Sequence, residues 1–239
     1  MKRLYWAALL ACGATEAAAE GQWTLGVIAG GSDGIYTGAE DEFGIIPFAS
    51  YDTERLHIGL DGLSYKIIST DQGQITAHLG YRAAPGFPDT DLFEGLERED
   101  AVEIGIGTQW QFGNAYAGVN IMTDASDVHN GAEAITSLGY VMSIGDLQLD
   151  ASVGGIYRNA ELNQYLFGVG ADEATATRPA FAADDTVSGF ASLTAAYPIT
   201  DQIVAFGQVG YQDLSVHEDS PLIDKDGVVD VGLGVMMTF

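Results

Sequence analysis

Residues 227–239 read GVVDVGLGVMMTF, and their alternation decides the fold. Val229, Val231, Leu233, Val235, Met237 and Phe239 share one parity, whereas Val228, Asp230, Gly232, Gly234, Met236 and Thr238 share the other. A period of two means a β-strand with two unlike faces. A strand of a soluble sandwich can alternate in this way too. An unbroken apolar face that closes on a bare aromatic fits a membrane barrel better, because there one face meets lipid and the other the lumen.

The same pattern recurs upstream. In 101–112, Val102, Ile104, Ile106, Thr108, Trp110 and Phe112 point one way, and Glu103, Gly105, Gly107, Gln109 and Gln111 the other. In 147–158, Leu147, Leu149, Ala151, Val153 and Tyr157 oppose Gln148, Asp150, Ser152 and Arg158. Charged and amide-bearing inner positions behind a continuous apolar outer face suit a wet lumen better than a sandwich core. Glu103, Gln109, Gln148, Asp150, Arg158 and Asp230 are therefore the candidate lumen-facing residues. As a set they describe an acidic interior with one arginine, either filled by its own hydrogen bonds or open to cations and small polar solutes.

Connection lengths test the barrel, since outer-membrane barrels have short periplasmic turns and longer outer loops. The segments 84–100, 125–131, 159–185 and 214–226 are long, and the turns at 113–114, 145–146 and 200–201 are tight. Long and short connections alternate without exception from residue 84 onward. They continue to do so through the N-terminal third if Asp61-Gly62 turns a hairpin, which predicts twelve strands within a range of ten to fourteen. The expected fold is an all-β, transmembrane, antiparallel up-and-down β-barrel. Pro47 lies within a predicted strand at 43–51, where its missing N–H predicts a bulge or irregularity.

Residues 1–19 carry Lys2 and Arg3, an apolar run from Leu4 to Ala14, and small residues Ala17 and Ala19 before Glu20. These are the zones of a secretory signal peptide, leaving a single domain over 20–239. Cys12 is the one cysteine and leaves with the signal, so no disulfide is expected. The formal net charge is −25, with 9 basic against 34 acidic residues. That balance excludes nucleic acid as a partner, because phosphate binding needs lysine and arginine. It suits an acidic outer surface, with lipid and cation-bridged lipopolysaccharide as its surroundings.

Catalytic and metal patterns are thin. His217-Glu218-Asp219-Ser220 brings suitable residue types together, but neighbours on a loop seldom face one another, and Pro221 restricts Ser220 to extended geometry. Asp127 and His129 with Glu99 and Asp100 could activate water at the outer rim, or simply anchor the loops there. Asp89-Thr90-Asp91 and Asp224-Lys225-Asp226-Gly227 echo calcium loops without their later ligands. No catalytic, cofactor or metal residue is assigned.

Several segments resemble the MipA/OmpV family of outer-membrane proteins, also described as MltA-interacting proteins. They are Tyr211 and Leu214 ahead of Asp219-Ser220-Pro221-Leu222, the terminal strand to Phe239, Tyr165 to Val169, Pro179 to Phe181, Gly95-Leu96 with Glu99-Asp100, Asp124 through His129 to Gly131, and Pro47 with Tyr51. Asn130 departs from the family's basic residue after the histidine. Val235, Met237 and Phe239 form the terminal signal for the barrel-assembly machinery, with Met237 standing where an aromatic is usual. The resemblance implies a non-enzymatic scaffold that brings a murein hydrolase and a peptidoglycan synthase together, or a porin-like or adhesive barrel. Predicted periplasmic turns of two to four residues offer little surface for a large docking interface.

Overall fold

The structure, a computed structural model, describes residues 21–239; the predicted signal peptide and Cys12 lie outside the described residues. Twelve antiparallel strands close into one barrel. They are β1 (Gln22–Ser32), β2 (Glu42–Asp52), β3 (Leu56–Gly59), β4 (Gly62–Thr70), β5 (Gly73–Arg82), β6 (Ala101–Phe112), β7 (Ala115–Asp124), β8 (Ala132–Ile144), β9 (Leu147–Arg158), β10 (Thr186–Pro198), β11 (Ile203–Asp213) and β12 (Gly227–Thr238). Each pairs with its neighbours in sequence. β12 closes on β1 from Thr24↔Thr238 to Ser32↔Asp230, and the Phe239 N–H donates to the Trp23 carbonyl at 2.8 Å. Closure satisfies the ladder over most of the wall, as hydrocarbon requires, the short β3 leaving the outer part of β2 unpaired on one side.

The alternation read in β6 and β12 is the alternation of the wall. Ile104, Ile106, Leu138, Val153, Val231 and Leu233 are exposed on its outside, whereas Glu103 is buried inside. Trp23, Trp110, Phe112, Tyr140 and Tyr197 cluster toward the strand ends joined by tight turns, and Phe43, Tyr81, Tyr157 and Tyr211 toward the ends joined by long loops. An aliphatic belt between two aromatic girdles is what a lipid bilayer selects.

Inside, rings lie flat along the wall over glycines of the adjacent strand. A Cβ on Gly139 would come within 2.1 Å of the Tyr116 ring, on Gly26 within 2.3 Å of Phe48, and on Gly234 within 2.4 Å of Phe206.

Pro47 causes no bulge. The β1–β2 register runs unbroken from Gln22↔Asp52 to Ser32↔Glu42, and the register shift falls instead between Lys66 and Ile68. Asp33 N–H bonds to Val229 O and Trp23 O accepts from Phe239, so odd positions of β1 bond toward β12. Val27 is odd and faces Pro47, which makes theirs a non-hydrogen-bonded pair. The Pro47 nitrogen therefore points away from β1, toward β3. There β2 pairs only at Tyr51↔Ile58 and Asp52↔His57.

The outer connections add short helical turns to the all-β barrel. A helix, α1 (Ala160–Phe167), follows β9, and a 3-10 turn spans Ser215–His217. Tyr165-Leu166-Phe167 lies in α1 and is buried.

Candidate functional site: the capped outer mouth and the lumen

A buried apolar core lies over one end of the barrel. Tyr36, Phe93, Leu96, Leu162, Tyr165, Leu166, Phe167, Val169, Leu222 and Ile223 form one buried cluster, with Ile35, Phe87, Leu92, Val128 and Phe181 packed against it. These residues come from the outer connections 33–41, 83–100, 125–131, 159–185 and 214–226. Five long loops thus fold together into a cap. The sixth outer connection, the turn at Leu60-Asp61 between β3 and β4, contributes nothing to it.

Local chemistry holds each piece in place. Asn159 caps α1, its side-chain oxygen accepting from Leu162 N–H at 3.2 Å and from Ala132 N–H at 2.8 Å, which ties the helix start to β8. Asn163 donates to Asp184 O at 2.7 Å and to Thr186 Oγ1 at 2.9 Å. Arg98 clamps the end of α1, reaching Tyr165 O at 2.9 Å, Gly168 O at 3.2 Å and Glu173 Oε1 at 2.6 Å. That hydrogen bond from Arg98 is the largest cause that holds the Glu173 carboxyl below its ordinary value. Arg178, 2% exposed, donates to Leu92 O and Glu173 O, both at 2.6 Å. His217 packs on the Phe167 ring at 4.1 Å between centroids. Burial, reinforced by the charge of Arg158, pushes its pKa down to about 4.

Beneath the cap, at the outer ends of the strands, lies a buried ionic ring. Arg82 Nε reaches Glu103 Oε1 at 2.7 Å, and Arg82 Nη2 reaches Glu133 Oε1 at 3.3 Å. Arg158 Nε reaches Glu133 Oε2 at 2.6 Å, and His129 Nε2 stands 3.3 Å from Glu103 Oε1. The charges balance, two arginines against two glutamates. This corrects the expected acidic interior with one arginine: Arg82 faces inward as well, and Glu103 and Arg158 are spent on pairing. Bringing four charges out of water is tolerable only because each has a partner.

Below the ring lies the lumen. Asp150 accepts from Tyr116 Oη at 2.9 Å, and Asp230 accepts from Gln208 Nε2 at 3.2 Å. Gln109, paired with Gln74 and Gly118, is half-buried, and Gln148 is exposed near the tight turn that opens β9. Along β1, β2 and β11 lies an apolar patch of Ile28, Ile46, Phe48 and Phe206, beside Gln208 and Asp230, with the rings of Phe48 and Phe206 6.5 Å apart. Ser220 Oγ donates to Phe167 O at 2.7 Å, and His217 faces Phe167, so the sequence neighbours His217 and Ser220 serve packing rather than each other.

A family model described as MltA-interacting protein MipA matches residues 25–239. The chain belongs to that family. Among its relatives, outer membrane protein OmpV of Vibrio cholerae is 25% identical over 230 residues, covering 92% of this chain and 88% of its own. Omp26La of Vibrio anguillarum is 24% identical, with the same coverage. The MltA-interacting protein of Escherichia coli strain K12 is 25% identical over 241 residues, covering 98% and 97%. Among solved structures, the NanC porin gives a TM-score of 0.47 at 11% identity over 89% of this chain and 98% of that one. Family membership and the closed barrel together make this MipA-family chain an outer-membrane β-barrel.

Sequence reading passed over three parts of this MipA-family barrel. Arg82 and Glu133 complete the ionic ring, and their inward parity was readable even though their partners were not. His57 bridges two carboxylates, with Nδ1 at 2.6 Å from Asp52 and Nε2 at 2.9 Å from Asp61. Ser64 Oγ stands 2.9 Å from His78 Nδ1. No carboxylate among the described residues hydrogen-bonds to His78, so this pair lacks the third member of a hydrolytic triad.

Proposed function

We propose that this protein is a non-enzymatic structural component of the outer membrane, closed to passive traffic and acting as a scaffold linked to peptidoglycan assembly. The observation that carries the closed reading is the cap. Five loops, a continuous apolar core and a buried ionic ring occupy the mouth through which an open porin would load. The partner class rests on family membership and on the name of the Escherichia coli relative, the MltA-interacting protein: a murein hydrolase, and with it a peptidoglycan synthase. The exported chain would reach the barrel-assembly machinery through its signal peptide at 1–19 and a terminal signal at Val235, Met237 and Phe239. Its acidic outer loops would sit among lipopolysaccharide.

The second reading is a narrow channel for small polar or cationic solutes. It is favoured by the polar part of the lumen around Gln109, Gln148, Asp150 and Asp230. Purified protein refolded into planar bilayers separates the two. No stable unitary conductance is expected, and uniform conductance steps would overturn the closed reading in favour of the channel. In envelope extracts, affinity capture is expected to retain a murein hydrolase. Capture that retains no peptidoglycan enzyme would remove the scaffold.

A further inference from the structure

The wall of this barrel is incomplete on one side. β2 runs from Glu42 to Asp52 but meets β3 only at Tyr51 and Asp52, because β3 and β4 turn back at Leu60-Asp61. On the far side of that hairpin, β5 pairs with β4 no further than Leu79↔Leu63. Between 43–49 of β2 and 80–82 of β5 no strand pairing spans the gap among the described residues. Above it, Tyr36 of the β1–β2 loop and Phe87 of the β5–β6 loop meet edge to face at 4.9 Å. The gap is therefore a window, with strands at its sides, a hairpin turn as its sill and the cap as its lintel.

A cleft of about 650 Å³ lies at the foot of this window. Trp23, Pro47, Ala49, Tyr51, Ile58 and Leu60 approach it with outward parity, and Phe48 and Gly59, which belong to the inner face, also line it. The cleft thus opens on the lipid surface in the half of the wall toward the tight-turn end, with Phe48 and Gly59 at its inner margin. None of the residues lining it is charged. A polar site borders it at Gly59, where a Cβ would come within 2.7 Å of Asp61 Oδ1 and 2.8 Å of His57 Nε2.

We propose that this window is a lateral binding site for a membrane-soluble amphiphile, an alkyl chain with a hydroxyl or amine head. The chain enters from the surrounding bilayer, lies in the cleft against Phe48, and turns its head toward Asp61 and His57. Volume and lining suit a small ligand. The rival occupant, an edge strand from another chain, needs a continuous row of donors along β2. Pro47 presents its donor-less nitrogen to that free edge and interrupts the row.

The test uses the full-length mature protein in outer-membrane vesicles, with a long-chain fatty alcohol carrying a photoreactive diazirine in the tail. After irradiation, mass spectrometry maps the adducts. Outward residues are labelled in any case, so the reading is taken on inward ones. Adducts at Phe48 and Ile46, with none at the inward Tyr116 or Asn120, are the expected result. Ala49→Trp fills the cleft from the lipid side and is expected to abolish most of the Phe48 adduct while Leu138 stays labelled. Leu60→Trp, on an exposed turn, gives the same reading should Ala49→Trp fail to fold. Adducts confined to outward residues would overturn the site. Equal labelling of Phe48 and Tyr116 would overturn lateral entry in favour of access along the lumen.

Discussion

The cap and the wall beneath it are held together by different physics. Wall strands stand with large apolar side chains exposed on the outside, Leu138 at 64% and Leu233 at 72%, so lipid rather than a protein core buries them. What fixes the wall is the ladder, nine to twelve paired positions for most neighbouring strands, whose backbone groups have no alternative partner in hydrocarbon. The cap is the reverse. Its loops carry few ladder bonds, chiefly the bridge between Val169 and Phe181, and depend on buried Leu162, Leu222 and Phe167 and on paired charges. The two regions should therefore fail separately, and the barrel is able to persist with an opened mouth.

The hardest test removes Glu133, the carboxylate shared by Arg82 and Arg158. Glu133→Ala leaves Arg158 buried without its carboxylate and Arg82 with Glu103, at a cost to the cap of about 4 kcal/mol. Rapid proteolysis within 159–185 and the onset of unitary conductance are expected, while the folded barrel keeps its heat-modifiable mobility on gels. Loss of that mobility together with the cap would break the comparison, making cap and wall one cooperative unit. Leu162→Ala comes next. Its side chain is fully buried at the centre of the cluster, so the cavity costs about 3 kcal/mol. Proteolysis of the same loop should report it, with the ionic ring intact and conductance rising less than in Glu133→Ala.

What could be read from the chain follows the same division. A wall strand declares itself locally: Val102 to Phe112 alternates with Glu103 to Gln111, and Gly113-Asn114 and Gly145-Asp146 mark its tight turns. The cap does not, because its core is assembled from five loops whose residues share no period. α1 was within reach, since Asn159 as cap and Leu162, Tyr165 and Leu166 at helical spacing are a readable signal, but at eight residues it is easily lost in a long loop. The inward parity of Glu103 and Arg158 was visible, whereas their partners lie 21 and 25 residues away on the neighbouring strands β5 and β8. Pro47 advertised a missing donor but not the side of the strand it faced.

Acid should open the cap before it harms the wall. His217 holds a pKa of about 4 in the fold against an ordinary 6.5, so between those values the unfolded cap binds a proton the folded one refuses. Cap stability is full above about pH 6.5 and falls as pH drops toward 4, by about 2 kcal/mol between pH 7 and pH 5. Glu173, whose carboxyl Arg98 holds low, adds a loss of the same sign at still lower pH. Limited proteolysis of 159–185 across this range is the measurement. His217→Gln should flatten the response above pH 5, and a response that survives the substitution would assign it to other groups.

The mildest perturbation acts from the opposite end. Gly145 turns β8 into β9 with φ +61, and a Cβ there meets nothing within 4 Å, so Gly145→Ala pays only left-handed backbone strain of about 1 kcal/mol. The strain falls on the ladder from Ile144↔Leu147 upward, far from Glu133↔Arg158 at the other end of the same pair of strands. Thermal unfolding of the barrel, read as loss of heat-modifiable mobility, should shift down slightly, while the rate of cap proteolysis stays at the parent value. Should the cap loosen in step, strain at one rim would be reaching the other through the β8–β9 ladder, and the separation of wall from cap would hold only for changes made within the cap itself.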